Sequence, residues 1–185
     1  MKMKSTRAWK GLLPAIMLLV MSPLSATACE NGLAETNPDS VYIDHGDGTV
    51  TDIRSGLMWK RCAEGLIFTD GRCGGGNIQF LKWGAALTQA DESGFAGYRD
   101  WRIPNLKELS SLVEDCKTKP AINARVFSVV SFGGALPGST DVWSSSPGAA
   151  FNTFNANAYV VDFWAGEIRG NIGPDSPAIL VRDVD

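Results

Sequence analysis

Four cysteines and a single histidine set the limits on what chemistry this 185-residue chain can do. A structural zinc site wants four Cys or His ligands at close spacing. Here there is no Cys-x-x-Cys pair, and His45 has no second histidine to join it. The same lone histidine would have to serve any Ser-His-Asp or Cys-His arrangement by itself, from a stretch that reads as a turn. No Gly-x-Ser-x-Gly, His-Glu-x-x-His or phosphate loop occurs, and no cofactor motif stands out. Cys62 and Cys73 enclose a Gly-rich stretch suited to a local disulfide. Cys29 and Cys116 are then left to each other, provided that Cys29 is not modified; four cysteines allow three connectivities, and sequence does not choose among them.

The carboxylates are the second chemical resource. Asp44, Asp47 and Asp52 resemble a calcium loop in composition, but their spacing lacks the alternation of an EF-hand, and Asx-type turns explain them as well. Glu108 with Asp162 is a possible pair for glycoside hydrolysis, which needs two carboxyl groups about 5–9 Å apart. An anionic polymer would need a basic patch. The local candidates are Lys60-Arg61 with Arg72, and Arg99 with Arg102 and Lys107. Tyr159 and Trp164 are candidate contact residues for a neutral glycan or a protein.

Positioning these groups requires elements that the pattern supplies. Val41–Asp44 and Thr49–Ile53 are β-rich runs around His45-Gly46-Asp47-Gly48, and Asp-Gly between such runs signals a hairpin. Gly56–Trp59 reads as a third strand. Trp83, Ala86, Leu87 and Ala90 fall on one face of a short helix over 83–91. A second helix begins after Pro104, with Asn105 as cap and Glu108 completing a capping box. Its inner side carries Leu106, Leu109, Leu112, Val113 and Cys116. Beyond Pro120 the helical period disappears, and Val142–Ser144, Asn157–Trp164, Glu167–Arg169 and Ala178–Val184 read as strands. The order implies one α+β domain. Trp59, Trp83, Trp101 and Trp143 are expected in its core.

Residues 1–28 read as a signal peptide. Lys2, Lys4, Arg7 and Lys10 precede an uncharged run, Gly11 to Met21, too short for the ~20 residues that span a bilayer. Pro23 follows, and Ala26-Thr27-Ala28 offers a small-x-small site with cleavage before Cys29. Ala-Thr-Ala-Cys is also a degenerate lipobox, so a lipid anchor on Cys29 is the alternative and the only route to a membrane. Removing 28 of 185 residues takes four of the 17 basic side chains and none of the 20 acidic ones, which leaves a net charge of −7 over 157 residues. That balance argues against nucleic acid and weakly against polyanions. Export would place the cysteines in an oxidising compartment. Residues 29–40 read as a polar N-terminal lead and 41–185 as the domain. Nothing in the sequence sets an oligomeric state.

Several stretches also form an ordered set: Asp47–Asp52, Gly56–Trp59, Trp83 with Ala86 and Leu87, Asp100-Trp-Arg-Ile-Pro104, Lys107–Leu109, Pro120–Asn123, Trp143–Ser145 and Val161–Phe163. The set resembles the Lcl C-terminal domain family, a bacterial exported domain, over residues 41–184. The resemblance implies a C-type lectin-like fold: two helices flanking a twisted, mostly antiparallel sheet whose first and last strands meet. It also implies a non-catalytic binding or adhesion module for a glycan or protein at the envelope. An envelope enzyme acting on glycans or cell wall is the alternative. The calcium-dependent sugar site of C-type lectins is not written here, since Trp143 is followed by Ser144-Ser145. Formylglycine-generating oxidases share a related fold and use two reactive cysteines, whereas the setting of Cys62 and Cys73 suits a structural bond better.

Overall fold

The computed structural model describes residue 29 and residues 32–127, 141–148, 150–151, 154–155, 158–171 and 175–184. The signal-peptide reading of residues 1–28 lies outside them. Among the described residues, no helix is long and apolar enough to cross a membrane.

The chain forms an α+β domain with several antiparallel sheets. Strands β1 (Tyr42–Asp44), β2 (Thr49–Asp52), β3 (Leu57–Lys60), β4 (Leu66–Thr69) and β5 (Arg72–Gly76) precede helices α1 (Trp83–Asp91) and α2 (Leu106–Ser110). Strands β6 (Asp141–Pro147), β7 (Ala150–Phe151), β8 (Phe154–Asn155), β9 (Ala158–Asp162), β10 (Glu167–Asn171) and β11 (Val181–Asp183) follow. One sheet has the order β1-β2-β3-β11 and another β10-β9-β6; β4-β5 and β7-β8 are separate hairpins. A single sheet in which the first and last strands meet is therefore not what forms. β1 and β11 share a sheet as its opposite edges, with β2 and β3 between them.

Turn chemistry sets the first hairpin. Asp44 accepts a hydrogen bond from the Gly46 amide at 2.9 Å, and Asp47 accepts from the Thr49 amide and hydroxyl at 2.9 and 2.6 Å. Gly48 sits at φ +94°, where a Cβ would press on the Phe68 ring. Asp52 caps the next turn by accepting from the Arg54 amide and guanidinium. All three aspartates are thus spent on turns, and Asp44 and Asp52 also on ion pairs with Arg61 and Arg54, rather than gathered on one ion.

Alternation along β6 and β9 places a helix on each side of their sheet. Val142 and Val161 join Leu109 and Leu112 in one apolar cluster, which also holds Val50, Trp59, Phe127 and Val181. Their sequence neighbours Trp143 and Val160 face the other way, into a second cluster with Ala86, Ala90, Trp101, Met58 and Leu180. Trp59, Trp101 and Trp143 are at most 2% exposed, whereas Trp83 is only half-buried. Each buried indole at the second cluster finds an acceptor: Trp101 donates to the Phe95 carbonyl at 2.9 Å and Trp143 to the Leu81 carbonyl at 2.7 Å.

Two elements depart from expectation. Helix α2 stops at Ser110 instead of running to Cys116: the amides of Leu112 and Val113 reach back only three residues, to the carbonyls of Leu109 and Ser110, and Val113 then forms a β-bridge with Ile122. Cys116 consequently lies in a loop, and there it bonds to Cys29. Between Cys62 and Cys73, which form the second disulfide, the expected loop contains the β4–β5 hairpin, turned by Asp70-Gly71 with φ of +51° and +77°.

Candidate functional site

The segment Trp101-Arg-Ile-Pro-Asn105 is stretched between two sheets. Arg102 exchanges backbone hydrogen bonds with Val181 of β11, both at 2.9 Å, and the Pro104 carbonyl accepts from the Ser145 amide of β6 at 2.8 Å. Pro104 has no amide to satisfy and starts the turn into α2. Asn105 then caps the helix in both directions. Its side chain accepts from the Glu108 amide at 3.0 Å, and the Glu108 carboxylate accepts from the Asn105 amide at 2.8 Å. The remaining carboxylate capacity of Glu108 receives the fork of Arg102 at 2.7 and 2.9 Å. Arg102 also reaches Asp183 at 3.3 Å. Its guanidinium therefore ties carboxylates, not the loop carbonyls that the sequence suggests, and this holds its own proton more tightly than usual.

Beside this clip lies an open cavity of about 350 Å³, lined by Leu87 and Asp91 of α1, by Trp101, Arg102, Ile103 and Asn105, and by Glu108 and Ser145. Leu87 is half-buried at its wall, while Trp101 and Ile103 behind it are 2% exposed and belong to the second core cluster. Asp91, the Asn105 amide nitrogen and the Ser145 hydroxyl make no hydrogen bond or ion pair among the described residues. α1 ends on Asp91 with Glu92 as its cap residue and no basic side chain in its last turn. Acidic groups at a helix C-terminus meet the negative end of the backbone dipole. Of the charged residues in the lining, Glu108 and Arg102 pair with each other and Asp91 is exposed.

A second polar cluster has a different use. Glu114, 1% exposed, accepts from the backbone amides of Thr36 and Asn37 at 2.7 and 2.8 Å. Asn37 donates to the Val113 carbonyl, and Asn123 donates to Asn37 and Asp39. Arg125 pairs with Asp39 and Glu35, Lys117 with Glu35, and Arg54 bonds Thr36 and Asn37. With the Cys29–Cys116 bond, these contacts tie the lead to the body. Burial pushes the Glu114 carboxyl upward, but the two amides outweigh it and hold it below its ordinary value. Asp39 is held low in the same way: burial opposes, and Asn123 and Arg125 prevail.

Of the four candidate binding residues, only Arg102 lines the cavity. Arg99 is exposed on the loop that leads into it. Tyr159 is half-buried in β9, and Trp164, 41% exposed, sits in the β9–β10 turn; neither lines the cavity. Of the two basic clusters, Lys60-Arg61 presents no free charge, whereas Arg99 and Lys107 of the other are exposed. Lys60 is buried against Glu64 at 2.6 Å, and Arg61 donates to Asp44 and to the carbonyls of Val126 and Arg125. Glu108 and Asp162 each have an arginine of their own, Arg102 and Arg169. His45 shares a 2.8 Å hydrogen bond with Thr51. Asp91, Asn105 and Ser145 were not legible as cavity residues. The one signal in the sequence was the acidic pair Asp91-Glu92 at a helix end that basic residues favour.

The order of these segments along the chain is matched by a family model, the Lcl C-terminal domain, over residues 48–184. The chain belongs to the Lcl C-terminal domain family. No curated protein and no solved structure matches it. The Lcl match begins at Gly48, after β1, although β1 pairs with β2 over three residue pairs, Tyr42↔Asp52 to Asp44↔Val50. It takes in both helices and the whole cavity lining.

Proposed function

We propose that the chain is an exported, non-catalytic binding module on a C-type lectin-like scaffold, recognising a glycan or a protein at the cell envelope or surface. The observation that carries this reading is the open cavity between α1 and α2, about 350 Å³ and lined by both apolar and polar side chains. Small-ligand sites are commonly clefts of this kind, of about 300–1,000 Å³. Family membership and the two disulfides support export. The Cys29–Cys116 bond uses the thiol that a lipid anchor would need, which favours an unanchored mature protein.

The groups that hydrolysis or thiol chemistry would require are engaged elsewhere: Glu108 and Asp162 by arginines, His45 by Thr51, and the cysteines in disulfides. An array of glycans and envelope proteins probed with the mature protein and with Ser145→Trp tests the reading. The bound set should disappear in Ser145→Trp and persist in Trp164→Ala. Loss in Trp164→Ala alone would move the site to the β9–β10 turn, and turnover of a bound glycan would replace a binding module by an enzyme.

A further inference from the structure

We propose that β10 is a self-association edge: two copies of the chain pair antiparallel along it, centred on Ile168, and join their β10-β9-β6 sheets into one. Whatever the cavity binds, the fold treats the edges of its two larger sheets unequally. An edge strand carries unpaired backbone groups that invite another strand, and folded proteins cover them. Three of the four edges are engaged. The Tyr42 amide of β1 donates to the Asp39 carbonyl. Val181 of β11 exchanges two bonds with Arg102, and the amides of Trp143 and Ser145 in β6 donate to the carbonyls of Pro177 and Pro104. β10 has no such cover. Tyr159 of β9 and Phe163 just after it turn their carbonyls toward the Ser144 hydroxyl and the Ala121 amide. The alternation of an antiparallel ladder then leaves Ala158, Val160 and Asp162 bonded to β10, where their partners are Asn171, Arg169 and Glu167. The backbone groups of Ile168 and Gly170 therefore point away from β9, and they have no partner among the described residues.

The side chains select both the partner and the register. Ile168 is 52% exposed although it sits beside the buried Val161. Glu167 is exposed and makes no ion pair among the described residues, while Arg169 reaches Asp141 and Asp162 through Nη2 alone. No lysine or proline interrupts the strand, and Gly170 leaves room for a second backbone. In a pair centred on Ile168, the two Ile168 residues exchange backbone hydrogen bonds and their side chains meet. Glu167 of each copy then lies opposite Arg169 of the other, in the closer, non-hydrogen-bonded position. Opposite charges so placed stabilise a strand pair, and like charges oppose it. Centring on Arg169 instead would set two arginines against each other, so charge fixes the register. Glu-x-Arg is complementary to itself when read antiparallel, which makes a second copy of this chain the fitting partner. A strand pair this short is far smaller than the ~1,600 Å² of a standard interface, so the dimer should be weak, with a Kd of about 0.1 mM.

Sedimentation equilibrium of the mature protein from about 10 μM to about 1 mM should show monomer and dimer in exchange. Glu167→Lys, which reverses the charge opposite Arg169, should weaken the dimer at least about tenfold, and Ile168→Asp should do the same. Both residues are exposed, so thermal unfolding of either variant should match the wild type. Cysteines read the register. Ile168→Cys should give a disulfide-linked dimer on oxidation, because directly opposed Cα atoms lie about 5.5 Å apart. Gly170→Cys should not, since it falls about 14 Å out of step with its copy. A monomer at every concentration overturns the pairing and leaves the edge to a strand of another protein. A dimer indifferent to both charge substitutions overturns the interface, and cross-linking through Gly170→Cys without Ile168→Cys overturns the register.

Discussion

The lead around Glu114 and the cavity around Asp91 are both acidic and polar, yet they are built in opposite ways. At Glu114 each oxygen has a backbone amide, and the neighbouring charges of Glu35 and Asp39 have Lys117 and Arg125. At Asp91 the carboxylate and the Asn105 amide are exposed to water beside the half-buried Ser145, and they make no hydrogen bond or ion pair among the described residues. Burying polar groups is stable only when they are hydrogen-bonded, so the first region has to be fastened within the chain, whereas water serves the exposed groups of the second. Polarity alone does not mark a site; burial decides whether it is structural.

The largest effect should come from unfastening the lead. Cys29→Ser with Cys116→Ser opens a loop of 87 residues, and denaturant unfolding should show a loss of about 4 kcal/mol. Glu114→Gln keeps the shape but weakens two charge-assisted bonds at a buried position, for about 2 kcal/mol. Acid should act on the same contacts. Glu114 and Asp39 are held below their ordinary values, so the stability they contribute is complete above the unfolded-state values of about 4.3 and 3.9 and is lost as pH falls through the lower folded-state values. Unfolding curves taken from neutral pH downward should therefore lose stability below about pH 4, with a shallower decline in Glu114→Gln. The smallest effect belongs to the cavity: Asp91→Asn should shift stability by no more than about 0.5 kcal/mol, in the stabilising direction, because it removes a charge from the wrong end of a helix. A large loss on Asp91→Asn would mean that the cavity rim is fastened after all.

Local signals were the legible part of the fold. The Asp47-Gly48 turn, the 83–91 helix and the Asn105–Glu108 capping box all form where the pattern places them. The Asp70-Gly71 hairpin carries the same signal as Asp47-Gly48, but glycines Gly74 to Gly76 leave β5 without the alternation that marks a strand. The length of α2 was misleading because its apolar spacing continues to Cys116, while Val113 leaves the helix to bridge Ile122, a partner nine residues on. Site residues were harder for a different reason. Arg102 could be singled out from its motif, but whether an arginine is spent or free depends on Glu108 six residues on and Asp183 on a distant strand. Ser145 joins the cavity only because β6 bonds to Pro104.

Backbone amide NMR of the mature protein, titrated with a ligand taken from the array of glycans and envelope proteins, tests most directly that the cavity between α1 and α2 is the site. Shifts should concentrate at Leu87–Asp91, Trp101–Glu108 and Ser145, and the amides of Thr36, Asn37 and Glu114 should stay in place. Shifts centred on Tyr159 and Trp164, or on the lead, would contradict it, as would a spectrum that does not move.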